Sequence, residues 1–120
     1  MEENELADVL IRLGEAEVLD DDRFARRFAE DKRELRGWGP DRIAAALRAR
    51  GVGERPIEAA LAAEDGDAVV DRALALLTGA GAELDDEAAR GRALSLLARR
   101  GFPLEVAYEA VRRHERSAAG

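Results

Sequence analysis

The stretch Leu47-Arg48-Ala49-Arg50-Gly51-Val52 returns fifty residues later as Leu97-Ala98-Arg99-Arg100-Gly101-Phe102. Each copy carries a leucine, two arginines, a glycine and an apolar residue, in that order. This pattern describes a helix C-terminus. Cations suit the negative end of the helix dipole, and glycine takes the left-handed conformation that closes the last turn. The same shift carries Ala60 onto Ala110 and Leu61 onto Val111, so a whole unit repeats. The unit reads as a helix, a second helix ending in Arg-Gly-apolar, and a short third helix starting near a proline. It occupies about 20–63 and again about 67–114, within one repeat domain of 120 residues that ends in a tail over 115–120. Tandem helical units of this kind stack into elongated, curved arrays.

Composition points the same way. The chain has 25 Ala and 15 Leu against 11 Val, Ile and Thr together, and Ala and Leu are the inexpensive helix formers. Hydrophobic residues at 47% and charged residues at 38% lie far from the composition of a disordered chain. An all-α fold of about seven helices is expected. Leu6, Val9, Leu10 and Leu13 mark one face of a helix over 5–14, which Gly14 closes. This helix reads as the end of an earlier three-helix unit. Asp20 as N-cap places Leu19 and Phe24 at the spacing of a hydrophobic staple. Phe24, Phe28 and Leu35 then fall on a narrow arc expected to face the core, before Gly37-Trp38-Gly39 breaks the helix. Pro40 opens the next helix, with Ile43 and Leu47 inward, and Pro56 starts another with Ile57, Ala60 and Leu61. A helix over 67–77 follows, ending before Gly79-Ala80-Gly81. Asp85-Asp86-Glu87 opens the helix through Arg100, and Pro103 leads into a final helix with Leu104, Ala107, Tyr108 and Val111 inward. Residues 117–120 are expected to fray.

Several chemistries are excluded by the inventory. There is no Cys, one His (His114), two Ser and one Thr, which leaves no nucleophile triad and no set of zinc ligands. The short Gly-x-Gly runs lack the Gly-Lys-Ser/Thr of a phosphate loop. No apolar stretch reaches a membrane span and the first residues are acidic, so a soluble cytoplasmic protein without cofactor, metal or small-molecule substrate is expected. The aspartates at 20–22 and 85–86 sit at helix starts, where capping explains them better than metal binding.

Charge is laid out in blocks. The net charge is −7. Residues 1–22 carry nine acids and one arginine, and residues 56–89 repeat that balance. Residues 23–55 hold ten bases and five acids, and residues 90–120 hold seven bases and three acids. All but one of the 19 cations are arginine, whose planar fork suits carboxylate and phosphate. Two basic blocks can face one partner while the acids keep the remainder soluble.

The ordered strings Leu19-Asp20-Asp21-Asp22-Arg23-Phe24-Ala25, Trp38-Gly39-Pro40-Asp41-Arg42-Ile43 and Leu47-Arg48-Ala49-Arg50-Gly51-Val52, with the later Leu97-Ala98-Arg99-Arg100-Gly101-Phe102, resemble the RecX family of recombinase regulators. The likeness covers about 5–113. It implies three tandem three-helix units, of which this sequence carries only the end of the first. It also implies a non-enzymatic protein that binds RecA-type filaments on single-stranded DNA and modulates them, usually by inhibition. Single-stranded DNA is touched either directly or through the filament. The candidate contact residues are Arg26, Arg33, Arg36, Arg48, Arg50, Arg99, Arg100 and Arg113. Arg26, Arg33, Arg36 and Arg48 are read as projecting from outer faces. Arg50 and Arg100 also fit the plain role of cations at helix ends. Trp38 is placed over the core, with base stacking as its other use. A stand-alone DNA-binding module and a protein-binding adaptor are the competing functions.

Overall fold

A computed structural model of the protein describes Arg12 and residues 20–119. Among the described residues the regular structure is entirely helical. Helix α1 runs over 20–36 and α2 over Pro40–Ala49. They are followed by α3 Glu54–Ala62, α4 Gly66–Gly79, α5 Glu87–Arg100 and α6 Leu104–Ala119. The helix expected over 5–14 lies outside the described residues apart from Arg12, which is helical. Leu19 of the expected staple lies outside them too. Asp20 is already helical, so it is not the N-cap that the sequence suggests.

The six helices form two three-helix units, each with its own core. Ala25, Ala29, Ile43, Ala44, Leu47, Val52, Ile57 and Ala60 are buried between α1, α2 and α3. Val69, Ala73, Leu77, Ala93, Leu97, Phe102, Ala107, Ala110 and Val111 are buried between α4, α5 and α6. The fifty-residue shift maps Leu47 on Leu97, Val52 on Phe102, Ile57 on Ala107 and Ala60 on Ala110, all buried. Cap and core are fixed together. The Val52 N–H donates to the Leu47 carbonyl at 3.1 Å and the Phe102 N–H to the Leu97 carbonyl at 3.0 Å. Gly51 at φ +82° and Gly101 at φ +94° make the reversal between them. Helix α4 closes alike, with Ala82 N–H on the Leu77 carbonyl at 3.0 Å and Gly81 at φ +65°. In all three the accepting carbonyl belongs to a fully buried leucine.

Helix starts follow the local chemistry. Asp65 Oδ1 accepts the Ala68 N–H at 2.8 Å, and Asp86 Oδ1 the Ala89 N–H at 2.7 Å. Helix α3 begins at Glu54 and not at Pro56, which sits in the first turn where a missing N–H leaves nothing unsatisfied. Helix α4 continues through Gly79, and α6 is helical to Ala119 where fraying was expected. Nothing in the structure explains Gly91 inside α5, where an added Cβ meets open space.

The aromatic arc of α1 is misplaced by the sequence reading. Phe24 is 43% exposed and Leu35 78% exposed, with Phe28 half-buried. The buried face is Ala25 and Ala29, one position further along and about 100° round the helix. Two methyl-sized residues let α1 lie close on α2 and α3, and the larger side chains flank the contact. The last turn, Lys32–Arg36, then widens to a π-helix, with the Trp38 N–H reaching back to the Lys32 carbonyl at 3.1 Å. The wider turn shifts the phase and carries Leu35 to solvent. In α6 the buried face is again Ala107, Ala110 and Val111, while Leu104 and Tyr108 are 65% and 39% exposed rather than inward.

The two units are joined backbone to backbone. The Gly39 N–H donates to the Arg100 carbonyl at 2.7 Å and the Asp41 N–H to the Gly101 carbonyl at 2.9 Å. Pro40, between them, has no N–H to place. The unsatisfied amides at the start of α2 thus meet the unsatisfied carbonyls at the end of α5, with opposite dipole ends facing. A Cβ on Gly39 would lie 2.5 Å from the Gly101 backbone, and one on Gly101 would lie 2.6 Å from the Arg42 nitrogen.

Candidate functional site

The Gly37-Trp38-Gly39 loop that enters this junction also carries the most distinctive surface of the chain. Phe24, Phe28 and Trp38 form a row with ring centroids 5.8 and 6.3 Å apart. Cations lie over the rings. Lys32 Nζ is 5.3 Å from the Phe28 centroid and 4.8 Å from that of Trp38. The Arg42 guanidinium is 4.2 Å from Trp38, and that of Arg50 is 4.7 Å from Phe28. Each such contact at a partly exposed site contributes about 0.5–1 kcal/mol. The loop itself is held. The Trp38 carbonyl accepts from Arg72 Nη1 at 3.0 Å, and its N–H is bound within α1. Aromatic faces and cations are therefore presented together on a fixed backbone.

The junction brings the two basic blocks side by side. Arg100 Nη1 donates to the Arg36 carbonyl at 3.3 Å, and Arg42 Nη1 reaches the Arg99 carbonyl at 3.5 Å. Arg36, Arg42, Arg99 and Arg100 thus gather where α1, α2 and α5 meet. Arg26, Arg36 and Arg99 are exposed, with side chains that make no ion pair among the described residues. Arg50 caps its own helix through the Ala46 carbonyl at 3.1 Å.

Three of the eight candidate arginines are engaged in ion pairs with carboxylates of the chain itself. Arg33 does not project from an outer face: its side chain is 12% exposed, with Nη2 on the Ala60 carbonyl at 2.8 Å and Nε 3.3 Å from Glu64. Arg72 binds the same carboxylate through Nε at 2.5 Å and Nη2 at 2.9 Å. One acid, 10% exposed and lying between α3 and α4, thereby ties α1 to α4. Arg48 is exposed but engaged with Glu54 at 2.5 and 3.0 Å, and its guanidinium pulls that carboxyl below the ordinary glutamate range. Arg113 pairs with Glu109 at 3.0 Å and lies 3.5 Å from Asp71. Hydrogen bonds from Arg112 and Arg113 likewise lower the Glu109 pKa.

Lys32 and Arg42 were absent from the sequence-derived candidates. Both stand close to Trp38 in the sequence, and Lys32 is the one lysine of the chain. Among the described residues no group of three or more His, Asp or Glu side chains is arranged to hold a metal ion, and no helix is long and apolar enough to cross a membrane.

Residues 20–61 match the family model described as RecX, second three-helix domain. A Thermus thermophilus protein named Regulatory protein RecX is 38% identical over 118 residues, covering 88% of this chain and 76% of its own. The chain belongs to the RecX family. Two further RecX members align at 34–36% identity. The one from Thermobifida fusca is 36% identical over 111 residues, with 87% of this chain and 58% of its own covered. The one from Mycobacterium sp. strain JLS is 34% identical over 113 residues, with shares of 88% and 62%. No solved structure matches the chain. The matched stretch 20–61 holds the aromatic row and all ten cations of the first basic block.

Proposed function

We propose that this protein is a non-enzymatic regulator that binds RecA-type recombinase filaments on single-stranded DNA and inhibits them. The observation that carries the reading is membership of a family whose curated members are named as regulatory proteins. The gathering of Arg36, Arg42, Arg99 and Arg100 around the Trp38 loop supports it. Arginine forks on a rigid backbone suit both the carboxylates of an acidic protein surface and the phosphates of nucleic acid. The test is a titration of the protein into the ATPase reaction of a recombinase on single-stranded DNA. The folded protein inhibits well below stoichiometry with recombinase, and the Arg26→Ala/Arg36→Ala/Arg99→Ala variant needs at least tenfold more. An unchanged ATPase at saturating protein refutes the regulatory reading.

A second reading, direct contact with single-stranded DNA, is favoured by the Phe24, Phe28 and Trp38 row. Stacking on aromatic faces combined with phosphate contacts is how sequence-tolerant single-strand binders work. Binding to a labelled oligo-dT without recombinase, with affinity falling steeply with salt, supports this contact. No binding at low salt removes it and leaves a protein-only partner.

A further inference from the structure

A groove of about 490 Å³ opens between the end of α1, α4 and α5. Its floor is apolar, with Ala75, Leu76 and Leu96, and its rim carries Arg33, Arg72 and Arg100. No acidic side chain lines it among the described residues. Glu64, the shared partner of Arg33 and Arg72, offsets only one of the three positive charges. Arg100 makes no ion pair among the described residues and its guanidinium there donates to the Arg36 carbonyl alone, so most of its donors are unused. An apolar floor under a surplus of positive charge is complementary to one kind of occupant.

We propose that this groove takes an acidic peptide segment of a partner protein, with an apolar side chain on Leu76 and Leu96 and flanking carboxylates on the arginine rim. The chemistry of the groove stands by itself. Only the identity of the partner as a recombinase rests on the function proposed above. Arginine meets carboxylates in paired, geometrically demanding hydrogen bonds. The floor contributes through the area of apolar side chain it removes from water.

The test uses the full chain and a fluorescein-labelled peptide, Asp-Glu-Leu-Phe-Glu-Asp, followed by anisotropy. Controls replace Leu-Phe by Gly-Gly, or the acids by lysine. Two variants report on the groove. Ala75→Glu places a carboxylate on an exposed helical position with little loss of helix propensity, and Arg100→Ala removes a rim cation. Circular dichroism checks that both fold. The acidic apolar peptide binds saturably, the two controls bind at least tenfold more weakly, and each variant loses at least tenfold. Absence of saturable binding overturns the proposal, as does equal binding of the Gly-Gly control or an unaffected Ala75→Glu protein. If Ala75→Glu weakens oligo-dT as much as peptide, the groove is a nucleic-acid site and the peptide assignment fails. The recombinase ATPase is measured in parallel. Peptide binding with no ATPase effect retains the groove and removes the recombinase reading. Inhibition by both wild type and Ala75→Glu, with no peptide binding, does the reverse.

Discussion

Gly51 and Gly101 occupy equivalent positions in the two units, and substituting alanine at each separates backbone strain from the joining of the units. At Gly51 the φ is +82° and an added Cβ meets nothing within 4 Å. Gly51→Ala is therefore expected to cost only the left-handed term, about 1–2 kcal/mol. At Gly101 the φ is +94°, and the Cβ runs into the Arg42 backbone nitrogen at 2.6 Å. Backbone against backbone cannot be relieved by a rotamer change, so the junction has to open. That removes the Gly39–Arg100 and Asp41–Gly101 hydrogen bonds, together about 1–3 kcal/mol. Gly101→Ala is thus expected to cost about 2–5 kcal/mol, the strain included. Gly39 supplies the third case. Its φ of −79° suits alanine, but the Cβ would sit 2.5 Å from the Gly101 carbonyl carbon. Gly39→Ala carries the junction loss without the strain, about 1–3 kcal/mol. Urea unfolding followed by far-ultraviolet circular dichroism gives the three values. Fluorescence of Trp38, the single tryptophan, reports on the junction itself. In the two junction variants the two signals are expected to separate, as neighbouring units lose their coupling term. Costs for Gly39→Ala and Gly101→Ala no larger than that for Gly51→Ala would refute the claim that the backbone contact joins the units.

Glu64→Gln leaves two largely buried guanidiniums without their carboxylate and lowers stability by about 3 kcal/mol in the same denaturation assay. A loss under about 0.5 kcal/mol would mean that the pair is solvated. Glu54 and Glu109, held by hydrogen bonds from Arg48 and from Arg112 with Arg113, titrate below the ordinary glutamate range by carboxyl NMR. Because their folded pKa values are lowered, the stability they confer is complete above the ordinary range and fades as pH falls through the lowered values. Arg48→Ala returns Glu54 to the ordinary range. On α1, Leu35→Ser changes stability by less than about 0.5 kcal/mol, whereas Ala29→Leu, at a fully buried position, costs about 1–3 kcal/mol. The reverse order would restore the aromatic arc as the core face.

The repeat was legible because its signals are local. Leucine, arginine and glycine at a helix end are read within six residues, and the buried positions 47, 52, 60, 97, 102 and 110 follow from it. The phase of α1 was not legible. A phenylalanine outweighs an alanine in any tally of hydrophobicity, yet the smaller residue faces the neighbours when helices lie close together. Nothing within 20–36 announces that closeness, nor the wider turn at Lys32–Arg36. The candidate site divides along the same line. Lys32 and Arg42 are near Trp38 in sequence and were within reach of a local reading. The burial of Arg33 depends on Glu64, and the meeting of Arg36 with Arg100 spans 64 residues.

The head-to-tail contact of α2 with α5 also sets an order of events during synthesis. Gly39 leaves the ribosome long before its acceptor, the Arg100 carbonyl, and at about 5–20 residues per second the wait is roughly 3–12 s. Helices form in microseconds or less, so the first unit can build its own core while the amides at the head of α2 still face water. The contact that aligns the two arginine clusters is therefore made late in translation, and a nascent chain halted before residue 100 displays the tryptophan loop without it.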